Sequence, residues 1–340
     1  MKQFLFLIFF IFGFCLAAFL ISFHYQLKPP RPLNGEVYFT IRKGEGFQEI
    51  ARNLEEKKLI RSSSSFKLYL LLKGWADKLK PGYYRLSYNL SGKEIAKMLV
   101  EGSGREVKVT IPEGWTIFQI EEKLKETGVL KENDTLLNLK IGDFQKDFPF
   151  LKNLPASASL EGFLFPDTYR FEVDTSAELV AKKMLFNFEN RFWKKYFKEI
   201  EEKKLNLYDL VKMASLIEGE IPYESDRVLV SGILWKRFKN NIPLQVDITL
   251  VYFKCYFRKE ENCRLLQEKD LKIDSPYNTY LYLGFPPTPV ANPSLNALES
   301  ALYPQPSPYF YYLSDPQTGK TIFAKTLEEH NLNIKKYLKR

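Results

Sequence analysis

The chain has 340 residues, of which 45% are hydrophobic and 15% aromatic, and its 50 Lys and Arg against 41 Asp and Glu give a formal net charge of +9 at pH 7. This length allows two domains or one large domain with an appendage, and the apolar content excludes disorder over most of the chain. Because basic and acidic residues are interleaved, the charge predicts a solvated basic surface and no nucleic-acid partner. The alternative is a mildly basic face that meets an anionic polymer or a lipid surface.

The first 27 residues predict a transmembrane anchor. The run Phe4–Phe23 consists of Phe, Leu, Ile, Ala, Gly, Cys and Ser, and as a helix it would span about 30 Å, the thickness of a bilayer core. A signal peptide would have a shorter apolar region and a clearer cleavage site. Basic residues lie on both sides, so charge counting is equivocal. We expect an uncleaved anchor with a short cytoplasmic N-terminus and the body on the periplasmic, extracytoplasmic side of the inner membrane.

The next segments predict a linker and a small module. Residues 28–35 are Pro-rich and predict a short, stiff linker. Over 36–102 the pattern predicts a strand at 37–41, helices in FQEIARNLEEKKLI and SFKLYLLLKGWADKL, a strand in PGYYRLSYNL and a helix in SGKEIAKMLVEG. The last helix has Ser91 followed three residues later by Glu94, the signature of a capping box.

The remainder, 105–340, predicts a second domain. VKVTIPEGWTIFQIEEKLKETG repeats the earlier strand, Gly-containing turn and helix. Amphipathic helices are predicted around 176–204 and 206–220, before a Pro-rich, aromatic C-terminal third. With no parallel βαβ alternation, the fold class predicted is α+β.

Several chemistries are excluded by missing residues. The sequence has two histidines, His24 and His330, and neither HExxH, a Walker A loop nor GxGxxG occurs. A Ser-His-Asp triad, a histidine-rich zinc site and a nucleotide cradle therefore lack their residues. We expect no cofactor and no metal.

Carboxylate chemistry remains, and ASLIEGEIP is its best candidate. It places Glu218 and Glu220 in an apolar run at the end of a predicted helix, on faces about 200° apart. An apolar surround favours the protonated carboxyl that a general acid needs. The structural alternative is a helix-end glutamate satisfied by a nearby Arg or by backbone N–H groups.

The downstream loops mix aromatic rings, amides and rigid prolines. They are LQVDIT (244–249), SPYNTY (275–280) and GFPPTP (284–289). Such loops suit a carbohydrate cleft, although Pro- and Tyr-rich loops also pack against cores. Cys255 and Cys263 either close a disulfide across a surface hairpin or stay unpaired thiols, since geometry decides this and spacing does not.

The chain resembles the endolytic murein transglycosylases of the MltG, or YceG-like, type. The segments that carry the resemblance are EGFLFPDTY, ASLIEGE, LQVDITLVY, SPYNTY, GFPPTPVANPS and the terminal EEHN. It implies a LysM-like module at 36–102, a catalytic domain at 105–340, and cleavage of the MurNAc–GlcNAc bond within nascent peptidoglycan strands. The products would be 1,6-anhydroMurNAc ends, so strand length would be limited, and peptidoglycan synthases are candidate partners.

The resemblance also implies site residues. Glu218 takes the catalytic position, and the candidates to orient substrate are Glu220, Gln245, Asp247, Tyr277, Asn278 and Asn292. Two alternatives stay open: a hydrolase that pairs Glu218 with Asp247 or Glu161, and a non-catalytic wall-binding scaffold. The sequence departs from the family pattern at Val246 and Ile248, which replace a small polar residue and Pro, and at Gly219, which replaces a commonly charged residue.

Overall fold

The computed structural model describes residues 2–30, 35–42, 44–102 and 106–338. The chain divides into two compact units, Met1–Glu106 and Val107–Arg340. The predicted domain boundaries, the linker and the assignment of a LysM-like module stay predictions.

The helices of the described residues are distributed over both units. They are α1 Lys2–Gln26, α2 Phe47–Glu56, α3 Ser63–Lys73, α4 Gly92–Glu101, α5 Ile117–Glu126, α6 Ile141–Phe144, α7 Ala177–Phe188, α8 Lys194–Glu202, α9 Leu207–Glu220, α10 Glu224–Lys239, α11 Asp247–Tyr252, α12 Leu295–Leu302 and α13 Leu327–Asn333. Over the same described ranges, the strands form three two-stranded sheets. They are β1 Glu36–Ile41 with β2 Gly82–Ser87, β3 Glu106–Thr110 with β4 Thr168–Glu172, and β5 Tyr311–Ser314 with β6 Thr321–Ala324. The expected α+β class is confirmed.

In the first unit, helix α1 exposes large apolar side chains such as Phe10, Phe12 and Phe14. Within the part of the chain that the structure describes, no helix is both long and apolar enough to cross a membrane. The transmembrane anchor therefore stays a prediction.

The rest of this unit follows its local sequence signals. Strands β1 and β2 pair antiparallel, with Phe39 opposite Tyr84, and both side chains are buried against α2, α3 and α4. Helix α4 begins with the predicted capping box, in which Ser91 Oγ accepts from the Glu94 N–H and the Glu94 carboxylate accepts from Ser91. Helix α3 is shorter than predicted. It ends at Lys73 because Gly74 adopts a left-handed conformation, φ 62°, and closes the helix.

The second unit begins with the predicted strand, turn and helix, β3 and α5. Helix α5 also begins with a capping box, between Thr116 and Gln119. A large apolar core joins α5, α7, α9, α10 and α12. Helix α9 runs through this core, and its C-terminal end carries the two acids of ASLIEGEIP.

Candidate active site

Helix α9 brings Glu218 and Glu220 to its C-terminal end on different faces. The helix begins at Asn206, whose side-chain oxygen accepts from the N–H groups of Tyr208 (2.8 Å) and Asp209 (3.2 Å). Most of its other residues are buried. It ends at Glu220, since Ile221 turns to an extended conformation before Pro222. The position of the two glutamates and their placement on different helical faces agree with the sequence analysis. Their surroundings differ from what the sequence analysis expects.

Glu218 is held by an ion pair. Arg227 Nη2 lies 2.8 Å from Glu218 Oε1 and Nη1 lies 3.3 Å from Oε2, and each side chain is 6% exposed. The backbone N–H of Ser294 (2.8 Å) and its hydroxyl (2.5 Å) also donate to Oε2. The expected apolar surround was therefore wrong for Glu218. Helix α10 and the start of α12 bring in polar partners, as in the structural alternative of a nearby arginine.

A third acid, Glu113, stands beside this ion pair and was missed. Burial, followed by the negative charge of Glu218, raises the pKa of Glu113. The neighbouring Gly114 lies close as well, because a Cβ built there would be 3.4 Å from Glu218 Cγ. In the sequence, EGW had been interpreted as the turn of a strand–turn–helix unit, and nothing in that turn signals contact with an acid about a hundred residues away.

Glu220 faces a cavity of about 660 Å³, a volume typical of small-molecule sites. Its carboxylate accepts from the backbone N–H of Ile248 at 3.0 Å. Burial, and then repulsion from Asp247, raise the pKa of Glu220 to about 7. Glu220 is therefore partly protonated at neutral pH, as a group that both donates and accepts a proton should be.

Two other predicted residues line the same cavity. Asp247 is the first residue of α11, and its Oδ1 accepts from the Tyr280 hydroxyl. Gln245 has a left-handed backbone, φ 55°, and its side-chain oxygen accepts from Arg237. The structure thus brings Glu220, Gln245 and Asp247 together. Tyr280 and Arg237 are additions that the sequence analysis did not name, although Tyr280 closes the SPYNTY segment.

The remaining predicted ligands lie inside the fold. Asn292 is completely buried: its oxygen accepts from the N–H groups of Gly162 and Leu164, both at 2.9 Å, and its amide donates to the Trp115 carbonyl at 2.9 Å. Asn278 is also completely buried, and its amide donates to two backbone carbonyls. In this structure both side chains satisfy buried backbone groups and neither lines the cavity, and their role as substrate ligands stays a prediction.

Tyr277 and Glu161 are likewise built into the core. The Tyr277 ring packs among neighbouring aromatic rings, and its hydroxyl lies 2.9 Å from that of Thr288. Glu161 is completely buried and accepts from the Ile117 N–H, the Tyr252 hydroxyl and the Asn292 amide. Burial raises the pKa of Glu161 to about 8. Glu161 does not line the cavity.

The departures at Gly219 and Ile248 are in contact with each other. A Cβ built on Gly219 would lie 2.5 Å from Ile248 Cγ1 and 3.1 Å from its Cβ. Real Cβ atoms do not approach so closely, so any larger residue at 219 would force Ile248 to shift. Ile248 therefore accounts for the glycine between the two acids. Val246, the third departure, is fully buried and packs in the core.

The two cysteines that the sequence left either paired or free are paired in the structure. Cys255 and Cys263 form a disulfide with their Cα atoms 4.9 Å apart. The adjoining Lys254 makes a buried ion pair with Asp270, at 2.6 Å. These links brace the segment that supplies Leu266 and Leu271 to the cavity wall. Among the described residues, no group of three or more His, Cys, Asp or Glu is placed to hold a metal ion.

The fold and the site together define a mixed α+β protein with a cavity that carboxylates and apolar side chains line. The chain belongs to the YceG-like family, whose sequence model matches residues 39–336. It is 33% identical over 315 residues to an endolytic murein transglycosylase of Bacillus subtilis, and the match covers 89% of this chain and 85% of that protein.

Two further similarities support the family assignment. An endolytic murein transglycosylase of Streptococcus pneumoniae is 30% identical over 347 residues; the match covers 93% of this chain and 62% of that longer protein. The crystal structure of a putative yceG-like protein from Listeria monocytogenes aligns with a TM-score of 0.60 at 33% identity, over 88% of this chain and 99% of that one.

Proposed function

We propose that this protein cleaves the MurNAc–GlcNAc bond within nascent peptidoglycan strands and leaves 1,6-anhydroMurNAc ends. The coarser statement rests on its family and on its named relatives: the protein is a lytic transglycosylase, and thus a lyase. The position of the cut within the strand and the limit on strand length belong to the proposal.

The observation that carries the mechanism is the contrast between the two acids of α9. Both oxygens of Glu218 already receive donors from Arg227 or Ser294, and Glu218 does not line the cavity. Glu220 lines the cavity, and its raised pKa, about 7, keeps it partly protonated at neutral pH. We therefore move the proposed proton-transfer role from Glu218, where the sequence placed it, to Glu220.

The reaction needs one carboxyl. Protonated Glu220 gives its proton to the glycosidic oxygen as the bond to C1 of MurNAc breaks. The resulting carboxylate takes the proton of the C6 hydroxyl, whose oxygen bonds to C1 and closes the anhydro ring. No water is consumed, and Glu220 ends protonated as it began. Asp247 and Gln245 would orient the sugar, and Asp247 keeps the pKa of Glu220 high.

Glu218 has a structural role in this proposal. Its ion pair ties the end of α9 to α10 and to the start of α12, since Arg227 lies on α10 and Ser294 caps α12. The end of α9 is the segment that carries Glu220.

The test is mass spectrometry of purified glycan strands digested by the wild type, by Glu220→Gln and by Glu218→Gln. We expect anhydro products from the wild type, none from Glu220→Gln, and a residual yield from Glu218→Gln together with a lower melting temperature. Loss of product in Glu218→Gln with full activity in Glu220→Gln would return the catalytic role to Glu218.

A two-carboxylate hydrolase is the second candidate, because Asp247 lines the cavity together with Glu220. Glu161, the other partner considered, is sealed in the core. Reducing ends as the main product of the wild type would favour the hydrolase. Binding of strands with no product at all, even in a membrane-tethered assay, would favour the inert scaffold.

Localisation is also part of the proposal. We propose that α1 anchors the protein in the inner membrane, with the body on the extracytoplasmic side and a LysM-like module at 36–102. The exposed apolar side chains of α1 and the disulfide support this arrangement. Membrane fractionation of the full chain, compared with a chain that starts at residue 28, would test it, and an unchanged soluble fraction would refute it.

A further inference from the structure

The C-terminal helix presents an apolar face to the cavity. Helix α13 continues into a π-helical turn at Ile334–Leu338. Leu327, His330, Ile334 and Leu338 all line the cavity, and their spacing of three or four residues places them on one helical face. The charged residues of the same segment, Glu328, Glu329, Lys335 and Lys336, are exposed. The segment is therefore amphipathic, and its apolar side lines the same cavity as Glu220 and Asp247.

This face does not serve to fill a core. No residue of α13 or of the following turn is buried, although the cavity face is rich in leucine and isoleucine. Val251, Leu266 and Leu271 extend the same apolar lining from other elements. The cavity lining thus combines polar groups, Glu220 and Asp247 among them, with a set of apolar side chains that offer no hydrogen-bond partner to a water molecule.

His330 does not interrupt the apolar character of this face. Its ring stacks on Tyr311, with centroids 5.2 Å apart, and its Nδ1 is buried without a hydrogen-bond partner among the described residues. Burial and the nearby charge of Arg237 lower the pKa of His330, which favours the neutral imidazole.

An apolar cavity wall can affect which product the proposed reaction forms. Once the bond from C1 to the glycosidic oxygen breaks, two nucleophiles compete for C1. If the C6 hydroxyl attacks, its oxygen bonds to C1, its proton passes to Glu220, and an anhydro end forms. If water attacks, its oxygen bonds to C1, its proton passes to Glu220, and a reducing end forms. Both routes return Glu220 to its protonated state, so the acid does not choose between them.

We infer that the apolar face formed by Leu327, Ile334 and Leu338 determines the reaction outcome by keeping water away from C1. The inference rests on the proposed function. A water molecule enclosed between this face and a bound strand would need two to four polar partners, and these side chains supply none. Excluding water from a site also prevents hydrolysis of a reactive intermediate. The intramolecular C6 hydroxyl is then the nucleophile within reach.

The experiment compares polar substitutions on the two faces of the C-terminal helix. Ile334→Asn and Leu327→Asn place a hydrogen-bonding amide in the cavity wall. Leu332→Asn is the matched control, because Leu332 is 66% exposed and does not line the cavity. Purified glycan strands are digested in ¹⁸O-labelled water, and mass spectrometry gives the ratio of labelled reducing ends to anhydro ends. Melting temperatures show whether each variant is folded.

We expect the ratio to rise several-fold in Ile334→Asn and in Leu327→Asn and to match the wild type in Leu332→Asn. An unchanged ratio in both cavity variants, or an equal rise in Leu332→Asn, would overturn the inference. If one cavity variant fails to fold, the ratio measured for the other cavity variant decides. Leu327 is already 51% exposed, so its substitution removes little packing. If the wild type forms no anhydro ends, the proposed function fails, which is a different result from an unchanged ratio.

Discussion

Replacing Asp247 by Asn should shift the pH dependence of cleavage to lower pH. Asp247 is the nearby negative charge that raises the pKa of Glu220 after burial has done so. Asn keeps an oxygen that can accept from the Tyr280 hydroxyl, as Asp247 Oδ1 does. The substitution therefore removes a charge while preserving the local geometry. With the repulsion gone, the carboxylate form of Glu220 becomes easier to reach, so its pKa falls.

The size of the effect follows from the protonated fraction. Because the acid form is the active one and its pKa is about 7, activity in the wild type is lost as the pH rises through about 7. A neighbouring like charge moves a carboxyl pKa by about one unit or more. A fall of about one unit leaves roughly a tenth of the wild-type protonated fraction at pH 8. At pH 5 Glu220 is almost fully protonated in both enzymes, so the two profiles should differ in the position of their alkaline limbs and not in shape near pH 5.

The assay is kcat/KM for anhydro product release from glycan strands, measured from pH 5 to 9. Asp274→Asn is the matched control, because Asp274 also accepts from a tyrosine hydroxyl, that of Tyr282, yet does not line the cavity. We expect its profile to overlay that of the wild type. An alkaline limb at the same pH in Asp247→Asn and in the wild type would refute the reasoning, since Glu220 would then not be the group that titrates.

Three further predictions concern stability. Asn292→Ala removes the acceptor of the buried N–H groups of Gly162 and Leu164, each now bonded at 2.9 Å. It should lower the free energy of unfolding, measured by urea titration, by about 2–5 kcal/mol. A loss of substrate affinity with unchanged stability would instead make Asn292 a ligand. Replacing Cys255 and Cys263 by Ser should cost about 2 kcal/mol, and a reductant should lower the melting temperature of the wild type but not of this variant. Lys254→Met leaves Asp270 as a buried, unpaired charge and should lower the free energy of unfolding by about 3–5 kcal/mol. The control Lys123→Met, at an exposed ion pair, should change it by less than about 1 kcal/mol. Equal losses in the two lysine variants would contradict the burial argument.

Elements with local signals were predictable from the sequence. The capping box at Ser91, the strand at 37–41 and the end of α9 near Pro222 each depend on residues within a few positions of one another. Helix α3 was predicted too long because apolar spacing continues past Gly74, while backbone conformation at that glycine ends the helix.

The site was predictable in part, for a different reason. Helical phase correctly separates Glu218 from Glu220, but it cannot say which face meets an arginine and which meets a cavity. That depends on how α10 and α11 pack against α9, and such long-range packing leaves no local pattern. Asn278 and Asn292 show the same limit, because a buried amide that satisfies backbone groups and an exposed amide that binds a sugar are the same letter in a sequence.

The contact between Gly219 and Ile248 makes the order of substitutions matter. A charged side chain introduced at 219 meets the branched side chain of Ile248, whose Cγ1 would lie 2.5 Å from the new Cβ. A smaller residue at 248 opens space for that change, whereas the reverse order passes through an intermediate in which Ile248, next to Asp247, must shift. The two positions are therefore coupled: glycine at 219 leaves room for the bulky side chain of Ile248, and a larger residue at 219 needs a smaller one at 248.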